Sequence, residues 1–433
     1  MPKLCLVTLG CPKNIVEGEH IAGLLESKGW TLTTDILHAD TAVVHTCSFI
    51  ADAKKESEEA IKAFSAIKRS KRLRLLAVTG CLAQREGSAF KERFPEIDVI
   101  AGTGAEAIRA LPSALGAGRG VMVSKPGGFL DPDTPRLLSS TLPSAYLRVA
   151  EGCNHKCGFC VIPSLRGRYH SRRRENIIRE AKGLAACGVK EIILIAQDTT
   201  LYGKDLYGTS ALPALMESMA AIEGIKWVRL MYAFPSTLTP ATVKAIRGND
   251  KICKYIDMPV QHTADSVLKR MGRPAGVKKL VRGLKEMIPG LTLRSTLITG
   301  FPGETESEFK EVCAFVSEGW FDQLGVFEYS PMPGTPASRL RGAVSDRVKK
   351  ERKKTLMLIQ KNVVKRKFRC LKGKTFEAVV EARNGDGTFM ARISMQAPEI
   401  DGGLIIRGKC AVGSFVKVKI TGFRGYDLLG ETL

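Results

Sequence analysis

Short apolar runs alternate along this chain with longer stretches in which apolar side chains return every three or four positions. The first pattern predicts strands and the second helices. Up to residue 118 the strands fall at Lys3–Leu9, Ala42–His45, Arg74–Thr79 and Asp98–Ala101. Helical patterns follow each of them, at Val16–Lys28, Ala51–Lys68, Ala83–Arg93 and Ala105–Leu115. Strand then helix, repeated, predicts an α/β domain built on a parallel sheet. Residues 119–143 are rich in Gly, Pro, Ser and Asp and read as a linker. The alternation then resumes over 144–369, with strands at Ala145–Ala150, Glu191–Gln197, Lys226–Tyr232, Lys254–Val260, Thr292–Thr299 and Gln323–Tyr329. Six such units predict an open, partial (β/α)6 barrel, a fold that carries its site at the carboxyl ends of the strands. Its last part, Arg347–Arg369, places Leu356, Ile359, Val363 and Val364 at near-helical spacing under a cationic outer face. From residue 370 the character changes. Phe376–Glu381, Leu404–Ile406 and Ser414–Ile420 alternate between glycine turns, which predicts a small antiparallel β-barrel, a frequent nucleic-acid platform.

Composition narrows the class. At 433 residues the chain exceeds one ordinary core, and 44% hydrophobic with 25% charged residues reads as soluble and globular. No apolar run is long enough for a bilayer, and Met-Pro-Lys-Leu-Cys-Leu lacks the apolar core of a secretory signal. A cytoplasmic protein without a membrane partner is expected. Twelve cysteines in such a chain argue for metal or redox use rather than a disulfide framework. The formal charge of +22 attracts polyanions, so RNA or a ribonucleoprotein is the natural partner class. The C-terminal domain contributes little of that charge, with nine basic against seven acidic residues from Lys372 onward.

The chemistry concentrates in cysteine. Cys153, Cys157 and Cys160 lie in Glu151-Gly-Cys-Asn-His-Lys-Cys-Gly-Phe-Cys160, a CxxxCxxC run that leaves the first strand of the second domain. Thiolates are the usual ligands of four-iron clusters, which take four when fully ligated. Three thiols leave one iron open to an incoming ligand. A second set is dispersed in sequence: Cys11, Cys47 and Cys81 each follow a strand of the first domain, about one βα unit apart. A parallel sheet would bring them to one edge, giving a second three-thiol site. Cys5 lies within its strand and is expected in the core. Polar strand ends at Gln197, Gln261 and Glu304 suit the amino, carboxylate and ribose groups of a cofactor, and Phe159 suits an adenine or the core. The competing readings are a zinc site with His155 or a distant cysteine as fourth ligand, and three small buried cysteines in the first domain.

The CxxxCxxC run resembles that of radical S-adenosylmethionine (SAM) enzymes, in which SAM chelates the open iron. The chain as a whole resembles the methylthiotransferases, with a cluster domain, a radical-SAM barrel and a TRAM domain. Thr8-Leu-Gly-Cys-Pro-Lys-Asn14, Cys47-Ser-Phe-Ile-Ala-Asp-Ala-Lys54 and Ala196-Gln-Asp-Thr-Thr-Leu-Tyr-Gly203 are similar to the branch that modifies small-subunit ribosomal protein S-12. His45 departs from the asparagine usual before Thr-Cys in that family. The resemblance implies two 4Fe-4S clusters, two SAM molecules and addition of a methylthio group to the β-carbon of an aspartate. It also implies ribosomal protein S-12 as partner, met on the ribosome or beside rRNA, and an electron donor protein. A tRNA-adenosine methylthiotransferase and a non-catalytic RNA-binding metal protein are the alternatives. A near-neutral C-terminal domain favours a basic protein substrate over tRNA.

Overall fold

The computed structural model describes residues 2–48, 50–139 and 143–433. Phe49, within one family-like motif, and linker residues 140–142 lie outside the described residues. The first domain is a six-stranded parallel sheet of β1 (Lys3–Thr8), β2 (Thr31–Leu32), β3 (Thr41–Thr46), β4 (Leu75–Gly80), β5 (Val99–Ala101) and β6 (Gly120–Met122). Its order is β2-β1-β3-β4-β5-β6, so the strands that precede Cys11, Cys47 and Cys81 are neighbours. β3 and β4 are buried along their whole length, as expected of a sheet covered by helices on both faces. The edge strand β6 occupies residues assigned to the linker, which is corrected here. Val121 is exposed between half-buried Gly120 and Met122, and three residues are too short a run to show alternation. The continuous helix expected at Ala83–Arg93 is instead broken. Gly87, with φ +57°, ends the Cys81–Glu86 helix and leads to the short Phe90–Arg93 turn.

The second domain pairs β7 (Ser144–Arg148), β10 (Glu191–Ile195), β11 (Trp227–Leu230), β12 (Ile252–Asp257), β13 (Thr292–Thr299) and β14 (Gln323–Glu328) in sequence order, all parallel. A small hairpin of β8 (Ala150–Glu151) and β9 (His170–Ser171) follows β7. The sheet curves without closing. Alternation divides its side chains: Leu147, Ile192, Leu194, Val228, Leu230 and Ile256 pack under the helices, in the large core. Tyr146, Ile193, Ile195, Trp227, Cys253 and Tyr255 line the other face, where they meet Val16 of the first domain and Val379 and Ala397 of the third.

A helix at Asp346–Arg369 crosses to the third domain, buried through Leu356, Val363, Val364 and Phe368. That domain is a closed barrel of β15 (Thr375–Arg383), β16 (Phe389–Ile393), β17 (Leu404–Arg407), β18 (Phe415–Arg424) and β19 (Asp427–Thr432). All its pairings are antiparallel except β17 with β19. That one parallel pair closes the barrel.

The third domain is keyed into the amino-terminal half of the central sheet. Glu191 at the start of β10 receives Arg229 from β11 at 2.7 Å and Arg392 from β16 at 2.5 Å, all three fully buried. Tyr255 donates to Asp401 at 2.7 Å, and Trp227 meets Phe415 edge-on. Buried ion groups of this kind add little net stability, but removing one partner is costly, so they fix alignment. The carboxyl ends of the same strands remain for the first domain and the site.

Candidate active site

Cys11, Cys47 and Cys81 each stand at a strand-to-helix turn. Cys11 is the N-cap of the Pro12–Ser27 helix, Cys47 follows β3, and Cys81 opens the Cys81–Glu86 helix. Register aligns Thr8 with His45 and Thr46 with Gly80, so the three turns lie side by side. Two glycines permit the approach. Gly10 has φ +97°, and a Cβ there would lie 2.5 Å from Cys47 Cβ and 2.8 Å from its Sγ. Gly80 has φ +92°, and a Cβ would lie 2.5 Å from the Thr46 carbonyl oxygen. Asn14 ties the turns together, donating to Leu9 O at 2.8 Å and Thr46 O at 3.0 Å. Cys5 is buried in β1, away from this edge.

The Cys153–Cys160 loop leaves the β8 hairpin and is held by its backbone. Cys153 N donates to Gly167 O at 3.1 Å, and Gly158 N to Met271 O at 2.8 Å. Ala337 N donates to Gly158 O at 2.8 Å, and Asn154 Oδ1 accepts from Tyr169 N at 3.0 Å. Two amides point at sulfur, from His155 to Cys153 at 3.4 Å and from Ile162 to Cys160 at 3.5 Å. Arg273 Nη1 stands 3.7 Å from Cys157 Sγ, with its guanidinium 4.2 Å above the Phe234 ring. His155, the suggested fourth zinc ligand, is engaged elsewhere. Its Nε2 lies 2.7 Å from Asp198, and its ring stacks on Phe234 at 3.6 Å.

The two sulfur sites share one wall. The Ile162–Arg166 helix continues directly from Cys160, and Arg166 Nη2 donates to Cys81 Sγ at 3.2 Å and to Asn14 Oδ1 at 2.9 Å. Its other terminal nitrogen meets Glu17, which also holds Arg148 at 2.7 Å and lies 3.3 Å from His45. Burial alone would raise the Glu17 carboxyl, but Arg166, His45 and Arg148 hold it well below the usual carboxylate range. His45, the departure from the family pattern, is thus a buried partner of Glu17. Cys81 also packs with Val161, Leu165 and Met332. Lys13 lies across the gap with Nζ 3.3 Å above the Tyr232 ring, and burial pulls its pKa down.

The donors suit iron–sulfur clusters. None of the twelve cysteines is in a disulfide. Burial pushes the Cys81 and Cys160 thiols up to about 12 and Cys153 to about 11. Such thiols ionise only against a strongly electropositive core. Among the described residues no three His, Cys, Asp or Glu side chains converge on the spacing of a single ion. A cubane takes one thiolate per iron and spreads its ligands more widely. Unpartnered buried polar atoms include Gln197 Oε1, Thr199 Oγ1 and Thr263 Oγ1, beyond β10 and β12, and Nε of Arg273, the residue beside Cys157. They fit a polar cofactor.

The expected cofactor contacts divide. Gln197 donates to Glu151 at 2.6 Å and leaves Oε1 unpartnered. Gln261 holds φ +73° beyond β12 and bridges Leu297 of β13, a strained position of the sort that clusters at sites. Phe159 is half-buried against Met271, Phe301 and Tyr329. Glu304 is turned inward: it accepts from the Gly300 and Phe301 amides and meets Arg352 at 3.3 Å. Its Oε2 thus shapes the loop, while its Oε1 has no hydrogen-bond partner among the described residues. Arg166 and Arg273 were not singled out from sequence. Nothing in the sequence marked Arg166 out from Arg168 and Arg172 close behind it.

Three family models match in order: "Uncharacterized protein family UPF0004" over residues 3–102, "Radical SAM superfamily" over 147–316 and "TRAM domain" over 373–433. Among solved structures, the fold is similar to the radical SAM methyltransferase TsrM of Kitasatospora setae. The TM-score is 0.56 at 17% identity, over 78% of this chain and 77% of that one. Fold and site together define a radical SAM enzyme, which uses SAM and iron–sulfur chemistry. Over its length the chain is 44% identical to the ribosomal protein uS12 methylthiotransferase RimO of Geotalea uraniireducens, covering 99% of this chain and 98% of the relative. It is 42% identical to the RimO of Clostridioides difficile, covering 100% and 99%. The chain belongs to the RimO family of methylthiotransferases.

Proposed function

We propose that this enzyme adds a methylthio group to the β-carbon of an aspartate in ribosomal protein uS12, in the cytoplasm. In this reading Cys11, Cys47 and Cys81 hold one four-iron cluster, and Cys153, Cys157 and Cys160 hold another, each with one iron free of protein. When bound, the clusters and two SAM molecules supply an electron from a donor protein, a methyl group and a 5′-deoxyadenosyl radical. An unactivated C–H bond has no acidic proton, so a cofactor must carry that step and the chain positions it. Gln197 and Gln261 orient SAM at the second site, with Arg273 beside Cys157 and Phe159 at the edge. Arg166, Glu17 and Arg148 hold the two sites in register and keep the wall between them dry.

One observation carries the reading: Arg166, six residues after Cys160, hydrogen-bonds the thiol of Cys81. Two sulfur sites so joined suit one that makes a carbon radical and one that delivers sulfur. The uS12 substrate is supported by relatives of that name matched over almost the entire chain.

Cysteine variants test the division of labour. Alanine at Cys153, Cys157 or Cys160 is expected to abolish 5′-deoxyadenosine production. Alanine at Cys11, Cys47 or Cys81 should retain it while methylthiolated uS12 disappears from the mass spectrum. Product formed by one of the latter variants would defeat the second site.

A further inference from the structure

The Asp346–Arg369 helix carries more charge than joining two domains requires. From Asp346 to Lys374 there are thirteen basic residues and two acidic ones, half of the chain's net charge of +22. The structure sorts them. Lys349 and Arg352 are buried, the latter against Glu304; Lys353 meets Glu328, and Lys367 meets Asp322 at 2.5 Å. Arg347 pairs with Glu351, and Arg366 donates to Ser317 O. Lys350, Lys354, Lys361, Lys365 and Arg369 are exposed and have no ion pair or hydrogen-bonded partner among the described residues. Their spacing puts them with Arg347 on one face, about 27 Å long between Arg347 and Lys365 at 1.5 Å per residue. Lys372 and Lys374 extend the row, and the β15–β18 ladder places exposed Lys419 opposite Thr375. The row therefore runs from the radical-SAM domain onto the third domain.

A row of exposed cations, five of them unpaired and Arg347 alone tied to Glu351, suits a repeating polyanion. The buried opposite face, including Leu356, Val363 and Phe368, cannot turn into a lipid surface. Leu358, 60% exposed, is the one large apolar side chain within the row. No exposed aromatic lies between Arg347 and Lys374, so there is no platform for stacking single-stranded bases. We infer that this face binds the phosphate backbone of paired RNA, without reading sequence, on a surface separate from the sulfur sites. The inference does not depend on which group is methylthiolated.

The test uses the full-length enzyme and a fluorescein-labelled 20-base-pair RNA duplex, with binding followed by anisotropy as salt is raised. The variant K350Q/K354Q/K361Q/K365Q alters only exposed positions. Its far-UV spectrum and SAM cleavage should match those of the parent. RNA affinity at about 0.1 M salt is expected to fall at least about tenfold, and the slope of log K against log salt to flatten by about three. Unchanged affinity and slope would overturn the inference and leave a solvated face. So would binding to vesicles containing phosphatidylserine, or to a polyglutamate chain, that exceeds RNA binding and is lost in the same variant.

Discussion

Gly10 and Gly80 do at the scale of single residues what the cysteines cannot do alone. Both hold a positive φ, and both let a cysteine turn lie against β3 without a side chain between. In Gly10→Ala the new Cβ would meet Cys47, and the backbone would carry about 1–2 kcal/mol of strain. The variant should fold, cleave SAM, and bind about four irons per chain where the parent binds about eight, as measured by iron and sulfide assay. Eight irons in the variant would remove the cradle from the account. The gathering of Cys11, Cys47 and Cys81 was legible because a parallel sheet brings neighbouring strand ends together. Arg166 was not, because its meaning lies in Glu17, Asn14 and Cys81, each far away in sequence. The local role of Glu304 was hidden too: one of its oxygens accepts from the amides of its own glycine-rich turn, which the sequence does not show.

At the scale of elements, periodicity found the long strands of the first two domains, while the helices between the strands of the second were expected only as a class. It passed over β2 and β6, too short and too exposed to alternate clearly, and β16 and β19, whose partners are set by barrel closure rather than local pattern. Some elements announce their own ends. The Glu306–Ser317 helix begins with a capping box, Thr305 bonded to the Glu308 amide and Glu308 reaching back to Thr305. Thr305→Ala should cost about 1 kcal/mol, seen as a lower urea midpoint with an unchanged slope. A midpoint equal to the parent's would show that packing, not the cap, sets this helix.

For the whole molecule, the joint between the second and third domains is electrostatic at its centre. Arg229 and Arg392 lower the Glu191 carboxyl from 4.5 to about 2 against the opposing effect of burial. A depressed carboxylate contributes stability that is complete above its unfolded pKa and is lost as pH falls through the folded one. The contribution, about 3 kcal/mol, should therefore fade between about pH 4.5 and 2. Glu191→Gln should flatten stability against pH in that window, while lowering stability near neutrality. A profile as steep as the parent's would place the acid sensitivity elsewhere.

That joint bears on how the chain can be shortened. A fragment ending at Arg369 would keep all six cysteines and both loops, yet Glu191 would lose Arg392, and Tyr255 would lose Asp401. Trp227 and Tyr146 would look out through an unstoppered floor. Such a fragment is expected to lose the alignment of its central strands, and a grafted tail from another protein would have to bring its own arginine to the same depth.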